Sequence, residues 1–138
     1  MKAYFADTSY WLALELSDDQ SHERAATHWE NLIKTPFAIV TTSYVFDETL
    51  TYLNSRNHHE KAVEVGENLL LGSAIEFIHI EENLFFDGWT LFQKHNDKRY
   101  SLTDCISFVV MRQKKLETAL TFDRHFIQAG FRIEPENI

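Results

Sequence analysis

Four acids stand at breaks in the apolar pattern of this chain. Asp7 follows Tyr4-Phe5-Ala6, Glu48 lies inside an apolar helical run, Asp104 precedes Cys105-Ile106-Ser107-Phe108, and Asp123 follows Thr118-Ala119-Leu120-Thr121. Carboxylates gathered without accompanying cysteines or paired histidines suit hard, oxygen-seeking cations such as Mg²⁺ or Mn²⁺. Such an ion stabilises the charge that develops when a phosphodiester is cleaved, and it can generate hydroxide from bound water. On that chemistry Asp7 and Asp104 are the central metal ligands. Glu48 is a ligand or positions a water, and Asp123 contacts a second metal or its water shell. Ser9 and Thr121 carry hydroxyls beside two of the acids, where they can orient the carboxylates.

These assignments require a fold that brings the four acids to one place. Ala3 to Ala6 reads as a short buried strand ending at Asp7, followed by Thr8, a hydroxyl residue able to cap a helix from Ser9 to Leu16. A second amphipathic helix begins near Ser21. Phe37 to Thr41 is an apolar, partly β-branched run typical of a parallel strand buried on both faces. Thr42 or Ser43 can cap the next helix, which runs to Ser55 and places Glu48 one turn from Tyr44 and from Tyr52. A helix from Asn57 ends at Gly72, placed as its carboxyl cap.

Ile75 to Ile80 alternates apolar with polar, as an edge strand does, and a helix from Glu81 to Lys94 follows. Ser101-Leu102-Thr103-Asp104 has the spacing of a capping box ahead of a buried helix. Thr118 to Thr121 is the fourth strand, Asp123 can cap the short helix that Gly130 closes, and Phe131 to Ile133 is a last strand. Strands alternating with helices imply an α/β fold with a parallel sheet, right-handed crossovers and helices on both faces. With the first strand between the second and fourth, the winding reverses between them. Asp7 and Asp123 would then face each other across the crevice where such sheets carry their sites, and Asp104 would join them at the same edge.

The chain has 138 residues, which corresponds to one domain over 1–138 with a core of its own. A single cysteine, Cys105, allows no internal disulfide and fits a reducing, cytoplasmic setting. No run is long and apolar enough for a signal peptide or a bilayer span, so no membrane association is expected. The net charge of -8 runs against the basic footprint of most nucleic-acid binders. A divalent cation among clustered acids would invert the field locally.

Other chemistries fit less well. Seven histidines invite a zinc reading, but none forms a His-x-x-x-His pair, and His58-His59 point to different helix faces. Cys105 has the setting of an inert core thiol. Only four glycines are present and no Gly-rich loop, which excludes a nucleotide cradle. Phe85, Phe86, Trp89 and Phe92 fall at helical spacing, as a core or dimer face would. Taken singly, the acids also have plainer explanations: Asp7 as a turn acid, Asp104 as a charge in the first turn of a helix, Asp123 as a cap, Glu48 as a surface ion-pair partner. Coincidence of all four at one sheet edge is what favours a metal site.

The chain also resembles a family. Ala6-Asp7-Thr8-Ser9, His22 with Ala25, Thr42-Ser43-Tyr44-Val45-Phe46-Asp47-Glu48, Ser101-Leu102-Thr103-Asp104 and Thr121-Phe122-Asp123-Arg124-His125-Phe126 occur in the order found in PIN-domain ribonucleases. The likeness is greatest to the toxins of VapBC-type toxin–antitoxin systems, and it covers essentially the whole chain. It implies a three-layer α/β/α fold around a five-stranded parallel sheet. It also implies a Mg²⁺- or Mn²⁺-dependent endoribonuclease site made of Asp7, Glu48, Asp104 and Asp123, a homodimer, and a cognate antitoxin that occludes the site. The chain departs from the pattern at His125, where many relatives carry another acid or an asparagine.

For RNA contact, Lys94, Lys98, Arg99, Arg124 and His125 flank the acids in an otherwise negative chain. As plain structure they are solvated loop charges. Two other classes of function compete with the nuclease: a catalytically silent PIN-like module that binds RNA or protein, and a phosphoryl-accepting Asp7. The latter usually needs an acid two residues on, where this chain has Ser9, or a buried lysine at a strand end.

Overall fold

Five short strands carry the sheet, and all four pairings between them are parallel, in the order β3-β2-β1-β4-β5. The structure, a computed structural model, describes residues 1–136; the last two positions of the expected 1–138 span lie outside them. The strands are β1 (Lys2–Ala6), β2 (Phe37–Thr42), β3 (Ile75–Ile78), β4 (Thr118–Leu120) and β5 (Arg132–Glu134). Helices α1 (Thr8–Glu15) and α2 (His22–Leu32) join β1 to β2, and α3 (Ser43–Ser55) and α4 (His59–Leu71) join β2 to β3. Helices α5 (Glu82–Lys94) and α6 (Leu102–Gln113) return the chain to β4, and α7 (His125–Gln128) leads to β5.

β1 is central because it is apolar enough to be buried on both faces: Tyr4, Phe5 and Ala6 are all buried. Its neighbours are β2 on one side and β4 on the other, with Phe5 opposite both Val40 and Ala119. The chain therefore winds one way from β1 and then crosses back, as expected of a doubly wound sheet. Right-handed crossovers place α1 to α4 on one face and α5 to α7 on the other. Each group packs within itself, α1 against α2 and α3, and α6 against α5 and α7. Aromatic rings fill the second layer, where Phe126 lies between Phe5 and Phe108 at centroid distances of 6.3 and 5.0 Å. No helix among the described residues is long and apolar enough to cross a membrane.

Three local expectations change. β3 stops at Ile78, because the Ile80 N–H is taken by Ser43 Oγ at 2.9 Å and not by a neighbouring strand. Asp7 occupies the N-cap position of α1, and Thr8, expected as the cap, is the first helical residue with its Oγ1 buried and unpaired. Gly72 is the carboxyl cap of α4, as expected, in an extended conformation. Glycine is required there by close approach, since a Cβ would lie 2.7 Å from the Asn68 carbonyl oxygen. Asp123 is not the cap of α7: Arg124 holds that position, and Asp123 Oδ1 accepts the His125 N–H at 2.8 Å in a turn ahead of the helix.

Candidate active site

The carboxyl ends of β1 and β4 adjoin, with Ala6 paired to Leu120 and the Asp7 N–H bonded to the Leu120 carbonyl at 3.0 Å. The residues that follow each strand are therefore neighbours. Asp7 turns inward and is 4% exposed, and Thr121 is fully buried beside it. A buried carboxylate needs donors. Ser9 Oγ and Thr121 Oγ1 both donate to Asp7 Oδ2, at 3.1 and 2.9 Å. Each hydroxyl in turn accepts a backbone N–H, Ser9 from Phe122 at 2.9 Å and Thr121 from Asp123 at 3.0 Å. The expected orienting roles of Ser9 and Thr121 thus have a geometry, and the same bonds fix the turn that carries Asp123.

Asp104 arrives from the other side of the sheet. Ser101 caps α6 by accepting the Asp104 N–H at 2.9 Å, and Asp104 Oδ2 accepts the Ser101 N–H at 3.1 Å. This reciprocal capping box aims a buried acid at the cleft from the first turn of α6, where the helix dipole tolerates negative charge. His125 Nδ1 lies 2.9 Å from the same Oδ2 and 3.4 Å from Asp123 Oδ1.

Asp7, Glu48, Asp104 and Asp123 all line one open cleft, together with Arg99 and His125. Glu48 reaches it from α3 as an exposed side chain, with Tyr44 and Tyr52 one turn away on the same lining. Lys94, Lys98 and Arg124 are exposed outside that lining. His125 is no free loop charge, because its imidazole is held against Asp104. That contact escaped sequence reasoning, although the two-residue offset from Asp123 was a signal: a turn there brings the ring back over the acids.

The electrostatics show a site short of positive charge. Burial raises the Asp7 pKa to about 7 despite the Thr121 hydroxyl, and repulsion from Asp104 and then Glu48 adds to it. Burial likewise pushes the Cys105 thiol up to about 11, with Asp104 adding to it, which fits an inert core residue. Oxygen donors that repel one another, joined by a single imidazole, fit a divalent cation.

Residues 4–132 match the protein family described as "PIN domain". The chain is 35% identical over 133 residues to the 23S rRNA-specific endonuclease VapC20 of Mycobacterium tuberculosis, covering 96% of this chain and 98% of that one. The crystal structure of Mycobacterium tuberculosis VapC20, described as a Sarcin-Ricin loop cleaving toxin, superposes with a TM-score of 0.84 and 34% identity, covering 93% of this chain and 95% of the other. The fold is shared more distantly with VapBC2 from Rickettsia felis, at a TM-score of 0.67 and 16% identity over 96% of this chain and 97% of that one.

Proposed function

The chain belongs to the PIN-domain family, and on that premise we propose that it is a Mg²⁺- or Mn²⁺-dependent endoribonuclease, the toxin of a toxin–antitoxin pair. The observation that carries the reading is the convergence of Asp7, Asp104 and Asp123 on one cleft at the carboxyl edge of β1 and β4. Full-length similarity to a 23S rRNA-specific endonuclease supports it and makes large-subunit ribosomal RNA the substrate class.

In this reading Asp7 and Asp104 hold the cation, Glu48 ligates it or positions a water, and Asp123 serves a second ion or its water shell. When bound, a divalent cation there draws charge from the scissile phosphate and acidifies a water. The protein's own residues do the rest. Ser9 and Thr121 hold Asp7 in one rotamer, so that the carboxylate need not reorganise during the reaction. The first turns of α1 and α6 line the cleft and favour a phosphate by their dipoles. Arg99 is the cation of the lining that can pair with a phosphate oxygen. Lys94, Lys98, Arg124 and His125 give a wider contact to the RNA backbone.

A homodimer, a cognate antitoxin covering the cleft, and residence in the cytoplasm, where such a substrate lies, complete the reading, with 1–138 acting as one domain. The test is incubation of purified protein with intact ribosomes and with total cellular RNA, in Mg²⁺, in Mn²⁺ and in chelator, followed by mapping of the new 5′ ends. Discrete, metal-dependent cuts in 23S rRNA are the expected result. Intact RNA under every metal, from protein freed of any bound antitoxin, would overturn it.

A further inference from the structure

We propose that His125 is itself a ligand, through Nδ1, of the ion that Asp123 serves, and that the mixed nitrogen and oxygen donor set it forms with Asp104 and Asp123 prefers Mn²⁺ to Mg²⁺; this rests on the metal-dependent reading above.

Donor atoms of Asp104, Asp123 and His125 lie within 4.8 Å of one another. The finer geometry is more specific. Nδ1 sits 2.9 Å from Asp104 Oδ2 and 3.4 Å from Asp123 Oδ1. Adjacent ligands on an octahedral ion with bonds of about 2.1 Å are themselves roughly 3.0 Å apart. The imidazole nitrogen thus already stands at ligand spacing from two carboxylates.

Asp104 Oδ2 and Asp123 Oδ1 each also accept one backbone N–H, from Ser101 at 3.1 Å and from His125 at 2.8 Å, which fixes both carboxylates toward the cleft. Among the described residues, Asp104 Oδ1, Asp123 Oδ2 and His125 Nε2 make no hydrogen bond, so each group keeps an uncommitted atom for a water or a phosphate. The ring is also pre-oriented: Tyr100 packs edge-on against it with centroids 5.3 Å apart, and its backbone N–H is fixed by Asp123. A ligand that loses little freedom on binding contributes more to affinity. The donor type then sets the preference. Mg²⁺ favours oxygen ligands and keeps its waters, whereas imidazole suits first-row transition ions.

The test uses Mn²⁺ alone, titrated into metal-free full-length protein and followed by electron paramagnetic resonance, with pulsed measurement of ¹⁴N coupling. Wild type should show imidazole nitrogen coupled to bound Mn²⁺ and should release Mn²⁺ only to a large excess of Mg²⁺. His125→Asp, which keeps an oxygen donor, should bind Mn²⁺ without that coupling and with a narrower preference over Mg²⁺. His125→Ala should bind Mn²⁺ roughly tenfold or more weakly. Thermal melts select preparations folded like wild type, and either variant alone suffices. Nitrogen coupling that persists in His125→Asp, or its absence from wild type, would overturn the assignment. Ribosomal RNA cleavage by the same preparations separates the two readings. Metal-dependent cuts without nitrogen coupling remove the ligand and keep the nuclease, and coupling without cuts does the reverse.

Discussion

Thr121 Oγ1 donates to Asp7 Oδ2 at 2.9 Å and so joins two residues 114 positions apart, one at the end of β4 and one at the end of β1. The bond exists because β1 and β4 are neighbours in register, and it is buried, so its loss is not made good by water. Thr121→Val keeps the shape and removes the hydroxyl, leaving the Asp7 carboxylate with one donor fewer and the Asp123 N–H without its acceptor. We expect a loss of about 1–3 kcal/mol in urea unfolding and a lower cleavage rate. Thr121→Ser should recover most of both. An unchanged rate in Thr121→Val would show that Asp7 needs no such orientation.

Asp7 also sets a pH dependence. Its folded pKa of about 7 lies above the ordinary value of 3.8. Between these values the folded state binds a proton that the unfolded state does not, so stability contributed by this group falls as pH rises through that window. Above about pH 7 the penalty is complete. Metal-free Asp7→Asn should therefore melt a few degrees above metal-free wild type at pH 8 and converge with it near pH 4. Added Mn²⁺ should raise the wild-type melting temperature at pH 8 by more than it raises the variant's. Thermal melts in chelator and in Mn²⁺ across this range check both statements.

A tertiary network away from the cleft ties β5 to α1 and α2. The Tyr10 hydroxyl is 2.8 Å from His28 Nδ1, and His28 Nε2 is 2.7 Å from Glu134 Oε1, linking α1, α2 and β5. Tyr10 is fully buried, so His28→Leu leaves its hydroxyl without a partner and should cost about 1–3 kcal/mol. Tyr10→Phe in the same chain should cost little more, because the orphaned group is then gone. Additive losses in urea unfolding would contradict the coupling.

The alternation of strands and helices was legible in the sequence because buried runs and capping spacings are local; the order of the sheet entered only as the condition that β1 lies between β2 and β4, which the structure meets and which brings Asp7, Asp104 and Asp123 to one cleft. Phe37 to Thr41 has the apolar, β-branched run of a parallel strand, and Ser101 to Asp104 has the spacing of a capping box. The contact between His125 and Asp104 was not legible, because it depends on how the turn after β4 faces α6. For the same reason the sequence points to Thr8 as the cap: nothing local reveals that Asp7 itself takes the cap position while its carboxylate is engaged by Ser9 and Thr121. The charged loop residues were the least readable. A sequence gives their sign, and only the fold separates Arg99, on the cleft, from Lys98 outside it.

That separation can be tested directly. In an Asp7→Asn background, which prevents cleavage during the measurement, Arg99→Ala should weaken RNA binding and flatten its dependence on salt by about one counterion. Lys98→Ala should change both less. Equal effects would mean that Arg99, on the cleft, contributes no more than the cations outside it.

The most direct test of the central claim compares wild type, Asp7→Asn and Asp104→Asn on intact ribosomes with Mn²⁺, the variants matched to wild type by circular dichroism. Discrete 23S rRNA cuts by wild type are expected, vanishing in chelator and falling at least about a hundredfold in both variants. Cuts that survive in either variant, or that persist in chelator, would contradict that claim.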